Sequence, residues 1–262
     1  MICKFINFPH IGEMHWEPLV DYAGRIAPGL LVIAIALAVL PRARTELQGL
    51  RIALYILAFV VMRDALTPVG LWHIGSHERA LWLRLPAEAG HLLLLTALTA
   101  GGIVLMLAFE RDLGRLVIWV RGPRVFGLLV AVLAAVVIAA PGLLLIRGVP
   151  LPERGGAVPA SLLAPLLLFA LVGNLLEELL FRGFLQGHLE GCTTPVHAAI
   201  LSGIIFGAFH APLGAAVTSV GAALVLFVTY EGLLCAFVRS RYGVIASTIA
   251  HGGGIFLLAS GI

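Results

Sequence analysis

The stretch Phe169–Phe184, FALVGNLLEELLFRGF, decides how this chain is read. Its first half has the apolar make-up of a membrane-spanning helix. Glu177 and Glu178 then follow side by side, and Arg182 comes one helical turn later. An acid at the centre of a span costs about 2.5–3.5 kcal/mol on insertion scales, so such residues face the bundle interior and serve function. At 3.6 residues per turn Glu178 and Arg182 share a face, as an acid–base pair should, while Glu177 points about 100° away. The two acids therefore have different jobs: one is held by Arg182 and the other faces a cavity. Asn174, one turn earlier, is in reach of either acid.

The surrounding chain supports a membrane setting. Its 262 residues are 60% hydrophobic and 12% charged, with a mean hydropathy of +1.05, whereas a soluble domain carries about 25% charged residues. Eight apolar segments fit into this length, at about 24–40, 50–72, 91–109, 125–146, 160–188, 196–211, 214–238 and 243–261. They are apolar on all sides rather than alternating, so helices are expected and a β-barrel is not. The fold class is thus all-α, a polytopic membrane bundle of about eight transmembrane helices. The net charge of +3 sits in short loops, which argues against a nucleic-acid partner and for topology. Arg42, Arg44 and Arg51, then Arg111, Arg115, Arg121 and Arg124, then Arg239 and Arg241 fall on one side, which is placed in the cytoplasm with both termini outside. Segment 73–87, with Arg79 and Arg84, and the arm around Trp16 read as interfacial. No cleavable signal peptide is expected. Cys3, Cys192 and Cys235 have neither metal spacing nor the even count of a disulfide framework.

Further ionisable residues lie inside the last four spans: His210, Glu231 and His251 join the glutamate pair. With the turn between the fifth and sixth spans centred near Thr193–Thr194, Glu177 and His210 lie at matching depth, on the order of 20 Å from it. His251 lies about 15 Å into the eighth span by the same rise. A carboxylate and two imidazoles on three helices suit hydrolysis: one group takes a proton from water and another donates to the developing oxyanion. The same set suits a metal with carboxylate and imidazole ligands; both chemistries stay open at this point. Phe206, four residues before His210, packs beside its ring.

EELLFR (Glu177, Glu178, Arg182) fits the pattern EExxxR, and FGAFH (Phe206, His210) fits FxxxH. In order, spacing and membrane context these resemble the CAAX-protease and bacteriocin-processing family of intramembrane endopeptidases, over about residues 160–258. The resemblance implies that Glu177 activates water with His210, that Glu178 and Arg182 support the site, and that His251 completes it. It implies a metal-free glutamate mechanism with no cofactor; if a metal is bound, its ligands are Glu177, His210 and His251. The implied partners are a membrane protein or peptide substrate and the lipid bilayer, in a bacterial-type inner membrane. One departure stands out: the family's last motif is often HxxxN, and HGGGI puts Ile255 at the Asn position. Asn174, Phe206 and Glu231 are candidate oxyanion or supporting residues, and amides freed by a distorted helix at Gly252–Gly254 are another source of donors. Residues 159–262 are read as the catalytic four-helix core and 1–158 as a lineage-specific N-terminal region of about four spans.

Other readings carry less. Arg63 and Asp64 read as a local structural pair, and Glu231 either pairs with Arg239 or lines the substrate path. Gly203, Gly207, Gly214 and Gly221 read as close helix contacts. His77–Glu78 begins like HExxH, but Leu81 occupies the second histidine position. Two competing functions are a proton-coupled transporter, against which the halves show no repeat, and a catalytically silent scaffold, suggested by Ile255.

Overall fold

The computed structural model describes residues 16–41, 45–77, 80–85, 88–218 and 221–261. Cys3, Arg42, Arg44, Glu78 and Arg79 lie outside the described residues. Helices dominate because a chain in lipid must satisfy its backbone polar groups internally. They are α1 (Glu17–Val39), α2 (Gln48–Val69), α3 (Ala89–Phe109), α4 (Arg124–Leu145), α5 (Ala160–Glu178), α6 (Pro195–Ala208), α7 (Gly221–Tyr242) and α8 (Val244–Ala259). Among the described residues seven helical segments are long and apolar enough to cross a membrane, and α8 is a shorter apolar helix. The expected polytopic all-α bundle is the observed one, and the chain is an integral multi-pass membrane protein. Its outer face is apolar, as at Leu31, Val125 and Leu226, while charged side chains such as Arg182, Glu178 and Arg239 are buried.

Hydropathy placed most boundaries within a few residues. α1 starts earlier than the apolar run, because Asp21 and Arg25 pair one turn apart (2.9 Å) and let charged residues continue the helix. The seventh span starts at Gly221, not near 214, because residues Leu213–Val217 prolong the sixth segment as a π-helical turn. Gly221 has φ +54° and no neighbour near its own Cβ, so it makes the turn into α7, and its carbonyl is the close neighbour of Gly214, where a Cβ would lie 2.8 Å away. Segment 73–87 contains an antiparallel hairpin that hydropathy did not suggest, β1 (His73–His77) with β2 (Ala80–Arg84). The Trp82 ring lies across Gly75, where it leaves no room for a side chain.

Several arginines read from sequence as loop or interfacial charges are internal clamps. Arg84, 3% exposed, donates to the carbonyls of Leu83, Gly156 and Leu258 at 2.7, 3.0 and 3.0 Å. It thereby ties the hairpin to the loop before α5 and to the end of α8. Arg51 pairs with Glu110 and donates to Leu37 and Leu40 (3.2 and 3.0 Å), capping the carbonyls that end α1. Arg239 pairs with Glu190.

The C-terminal helices pack through glycine. A Cβ at Gly203 would fall 2.9 Å from the backbone N and Cα of Leu233 in α7, and one at Gly207 would meet Thr229. Gly252, Gly253 and Gly254 bring α8 onto α5 and α4, against Leu171, Ala135 and Ile138. α8 runs unbroken through these three glycines, so they serve packing, and the helix distortion expected there does not occur. The turn into α8 needs Gly243 at φ +90°, where a side chain would strike the Trp119 carbonyl at 2.6 Å. The irregular segment before α4 is tied to this turn by Val244 N–H to Ile118 O and Ile245 N–H to Trp119 O (2.8 and 3.1 Å).

Gly203→Ala should lower stability by about 1–3 kcal/mol through overpacking against α7. Gly101→Ala, in the interior of α3 with nothing near a Cβ, should hold stability or raise it by up to about 1 kcal/mol. Melting of both variants in the same detergent, against wild type, checks this.

Candidate active site

The site begins where α5 changes pitch. Directly after Glu178 the chain becomes π-helical over Leu179–Leu185, then returns to α-helix for Gln186–Glu190. A π turn inserts a residue, so some carbonyls lose their regular partners, and such turns recur at functional sites. Here Ser202 of α6 donates to the Phe181 carbonyl at 2.9 Å. Gln186 donates to Ala236 O and Ser240 Oγ of α7 at 3.3 and 2.8 Å. The widened turn thus grips both neighbouring helices and aims Arg182 into the bundle.

Glu178 and Arg182 are fully buried, with Glu178 Oε1 and Arg182 Nη1 3.2 Å apart. Arg182 Nη2 donates to the Gly232 carbonyl at 3.0 Å, and its guanidinium stacks 4.1 Å from the centre of the Phe206 ring. Gly232 permits this approach, since a Cβ there would lie 2.8 Å from Phe206. His251 Nδ1 donates to the same Glu178 oxygen at 2.9 Å. The expected pairing of Glu178 with Arg182 is present, and the same carboxylate also orients His251.

Glu177 is placed otherwise. Its Oε2 is buried without a hydrogen-bond partner and lies 3.9 Å from His210 Nε2. That is too long for a direct hydrogen bond. His210 Nδ1 contacts the Phe206 carbonyl at 2.8 Å, and a carbonyl only accepts, so Nδ1 carries the proton and Nε2 is the atom turned to Glu177. The Phe206 ring packs 4.5 Å from the imidazole, as its spacing suggested. His251 Nε2 lies 3.6 Å from Glu231 Oε1, so Glu231 pairs toward the site and not with Arg239, whose partner is Glu190. Glu177, His210, Glu231 and His251 all border one cavity of about 670 Å³, whose remaining wall is mainly apolar and draws on α1 to α5, the hairpin and α7.

Residues 159–255 match a family model described as "Type II CAAX prenyl endopeptidase Rce1-like". The C-terminal region is thus similar to the Rce1-like family. No curated protein and no solved structure matches the chain. The family supports a CAAX-type intramembrane protease in general, with membrane-associated peptide substrates. The matched stretch contains Glu177, Glu178, Arg182, His210, Glu231 and His251 and ends on Ile255.

Within the Rce1-like region the remaining candidates are less engaged. Asn174 is buried on the cavity wall, but its amide donates to the Ala170 carbonyl at 2.6 Å rather than to either glutamate. Ile255 also lines the cavity and offers no polar group. Glu178, Cys235 and His251 bring potential metal-ligand atoms within 4.8 Å of one another. Arg182 and His251 already engage that carboxylate, so a cation there would compete with a buried guanidinium. This grouping also differs from the ligand set expected from sequence, which used Glu177 and His210. Sequence reasoning assigned Arg63 to a local pair with Asp64. That pair exists (2.7 Å), but Arg63 also lies on the cavity wall, outside the Rce1-like region. The signal was an arginine within an otherwise apolar span.

Glu178→Gln should destabilise the protein by about 3–5 kcal/mol, because it strips a buried guanidinium of its counter-charge. Glu177→Gln removes no hydrogen bond and should leave stability nearly unchanged. Thermal melting of the two purified variants should separate them clearly.

Proposed function

We propose that the protein is an intramembrane endopeptidase of a bacterial-type inner membrane. It hydrolyses a peptide bond in a membrane-associated, prenyl-linked protein or peptide by glutamate-activated water. The observation that carries this reading is the division of labour between adjacent acids. Glu178 is held through Oε1 by Arg182 and His251 and does not border the cavity, while Glu177 has no ion pair at hydrogen-bond distance and keeps a buried, unpartnered oxygen on the cavity wall, 3.9 Å from Nε2 of His210, the ring nitrogen turned away from Phe206.

Both of those atoms accept hydrogen bonds, so a water lying against them gives one O–H to each and turns its lone pairs to the cavity. Glu177 takes one proton as general base. The water oxygen bonds to the scissile carbonyl carbon, and the C=O π pair moves to oxygen. When that pair returns, the C–N bond breaks and the proton held by Glu177 passes to the leaving nitrogen. His210 orients the water, and Phe206 holds the His210 ring. Arg182 and Glu178 fix the geometry around His251, whose Nε2 faces Glu231. In this reading α5–α8 are the catalytic core, and the first four helices with the hairpin wall the chamber that receives the substrate. The apolar lining suits a substrate that reaches the site from lipid.

Glu177→Gln and His210→Ala should each lower cleavage of an internally quenched prenylated CAAX peptide in proteoliposomes by about 10²–10⁴-fold. Both variants should insert normally. Undiminished cleavage by Glu177→Gln would overturn the assignment, and a proton flux that depends on Glu177 without peptide cleavage would point to a transporter.

A further inference from the structure

Hydrolysis needs a donor for the oxygen that becomes negative, held before the reaction begins. In the Rce1-like region most nearby donors are already engaged. Arg182 is held at Glu178 and Gly232, and its unpartnered Nε and Nη1 lie away from the cavity wall; His251 Nδ1 is held at Glu178 and His210 Nδ1 at Phe206. Asn174 is turned back to Ala170, and Ile255 has no donor.

Among the described residues two that line the cavity keep a buried donor without a partner, Trp82 Nε1 in the hairpin and Arg63 Nη1 in α2, and of these Arg63 is the charged one and is bonded to the residue before His210. It is 4% exposed and lines the same cavity as Glu177 and His210. Its Nε donates to Asp64 Oδ1 at 2.8 Å. Its Nη2 lies 2.7 Å from that oxygen and donates to the Phe209 carbonyl at 2.9 Å. Phe209 immediately precedes His210 and sits where α6 ends, so its carbonyl is free of a regular helix partner. Two acceptors thus fix the plane of the guanidinium beside His210. The third nitrogen, Nη1, is buried and has no hydrogen-bond partner. A buried charged donor without a partner is unfavourable unless something else supplies one, and the carbonyl oxygen of a bound substrate is such a group.

We propose that Arg63 is the oxyanion donor of this site, supplied by the N-terminal helices to the Rce1-like core; the inference rests on the protease reading above. As the water oxygen bonds to the carbonyl carbon and the π pair moves to oxygen, Nη1–H donates to that oxygen. The contact relaxes when the C=O bond re-forms, the C–N bond breaks and the proton from Glu177 reaches the amine. Asp64 is a positioning residue that acts through Arg63.

The test uses full-length protein in proteoliposomes with the prenylated CAAX peptide as probe. kcat and KM are measured for wild type, Arg63→Lys and Arg63→Ala, and kcat is referred to the monodisperse, folded fraction. Lysine keeps the charge and one donor for Phe209, so it carries the test if the alanine variant fails to fold. Peptide binding is measured in parallel for Glu177→Gln with and without Arg63→Lys. The expected result is a kcat about 10²–10³-fold lower with KM within about threefold, and equal peptide affinity in the two Glu177→Gln proteins. An unchanged kcat in Arg63→Lys overturns the proposal. So does a loss that falls on KM and peptide affinity, which would make Arg63 a substrate anchor. Wild-type protein that leaves the peptide intact removes the protease reading itself, and the proposal with it.

Discussion

The buried pair of Glu178 and Arg182 is the constraint around which the C-terminal helices are arranged. Taking two charges out of water is unfavourable, and their attraction offsets this only when the geometry is good and further hydrogen bonds complete it. The chain meets that demand with the π-helical turn, the Gly232 carbonyl, the Phe206 ring and the His251 imidazole. Each comes from a different place, so satisfying one ion pair fixes the relative positions of α5, α6, α7 and α8. Gly203, Gly207 and Gly232 follow from the same need, because side chains there would hold α7 away from Arg182 and Phe206.

With Glu178 committed through Oε1 to Arg182 and His251, its neighbour is left without a structural ion pair. Glu177 lies one residue away, turned toward His210 and the cavity. A single buried acid has to serve either structure or reaction; two adjacent acids on a helix diverge by about 100° and can do both.

The N-terminal half completes the chamber rather than standing apart from it. Tyr22, Arg63, Leu95 and the hairpin residues Ile74 and Leu83 share the cavity wall with the four site residues. Buried arginines join the parts. Arg51 links α1, α2 and the end of α3, and Arg84 holds the hairpin against α8 and the loop before α5. In an apolar solvent the hydrophobic effect does not drive helices together, so packing and polar contacts of this kind carry more of the specificity.

By itself the sequence determined the membrane class and the approximate spans, and it singled out the buried acids and histidines of the candidate site. These are legible because span length, apolar composition and helical period are local properties, and because charges inside spans are rare. The pairing of Glu178 with Arg182, and of Phe206 with His210, was readable for the same reason: each is one helical turn. What depended on contacts between helices was not. The π turn, the hairpin over the cavity, the engagement of His251 by Glu178, the partner of Arg239 and the place of Arg63 on the cavity wall were decided by tertiary structure alone. A buried polar atom takes whichever partner the packed neighbours bring within about 3 Å, and residues 63 and 209 are brought together by the packing of helices and by nothing in their spacing.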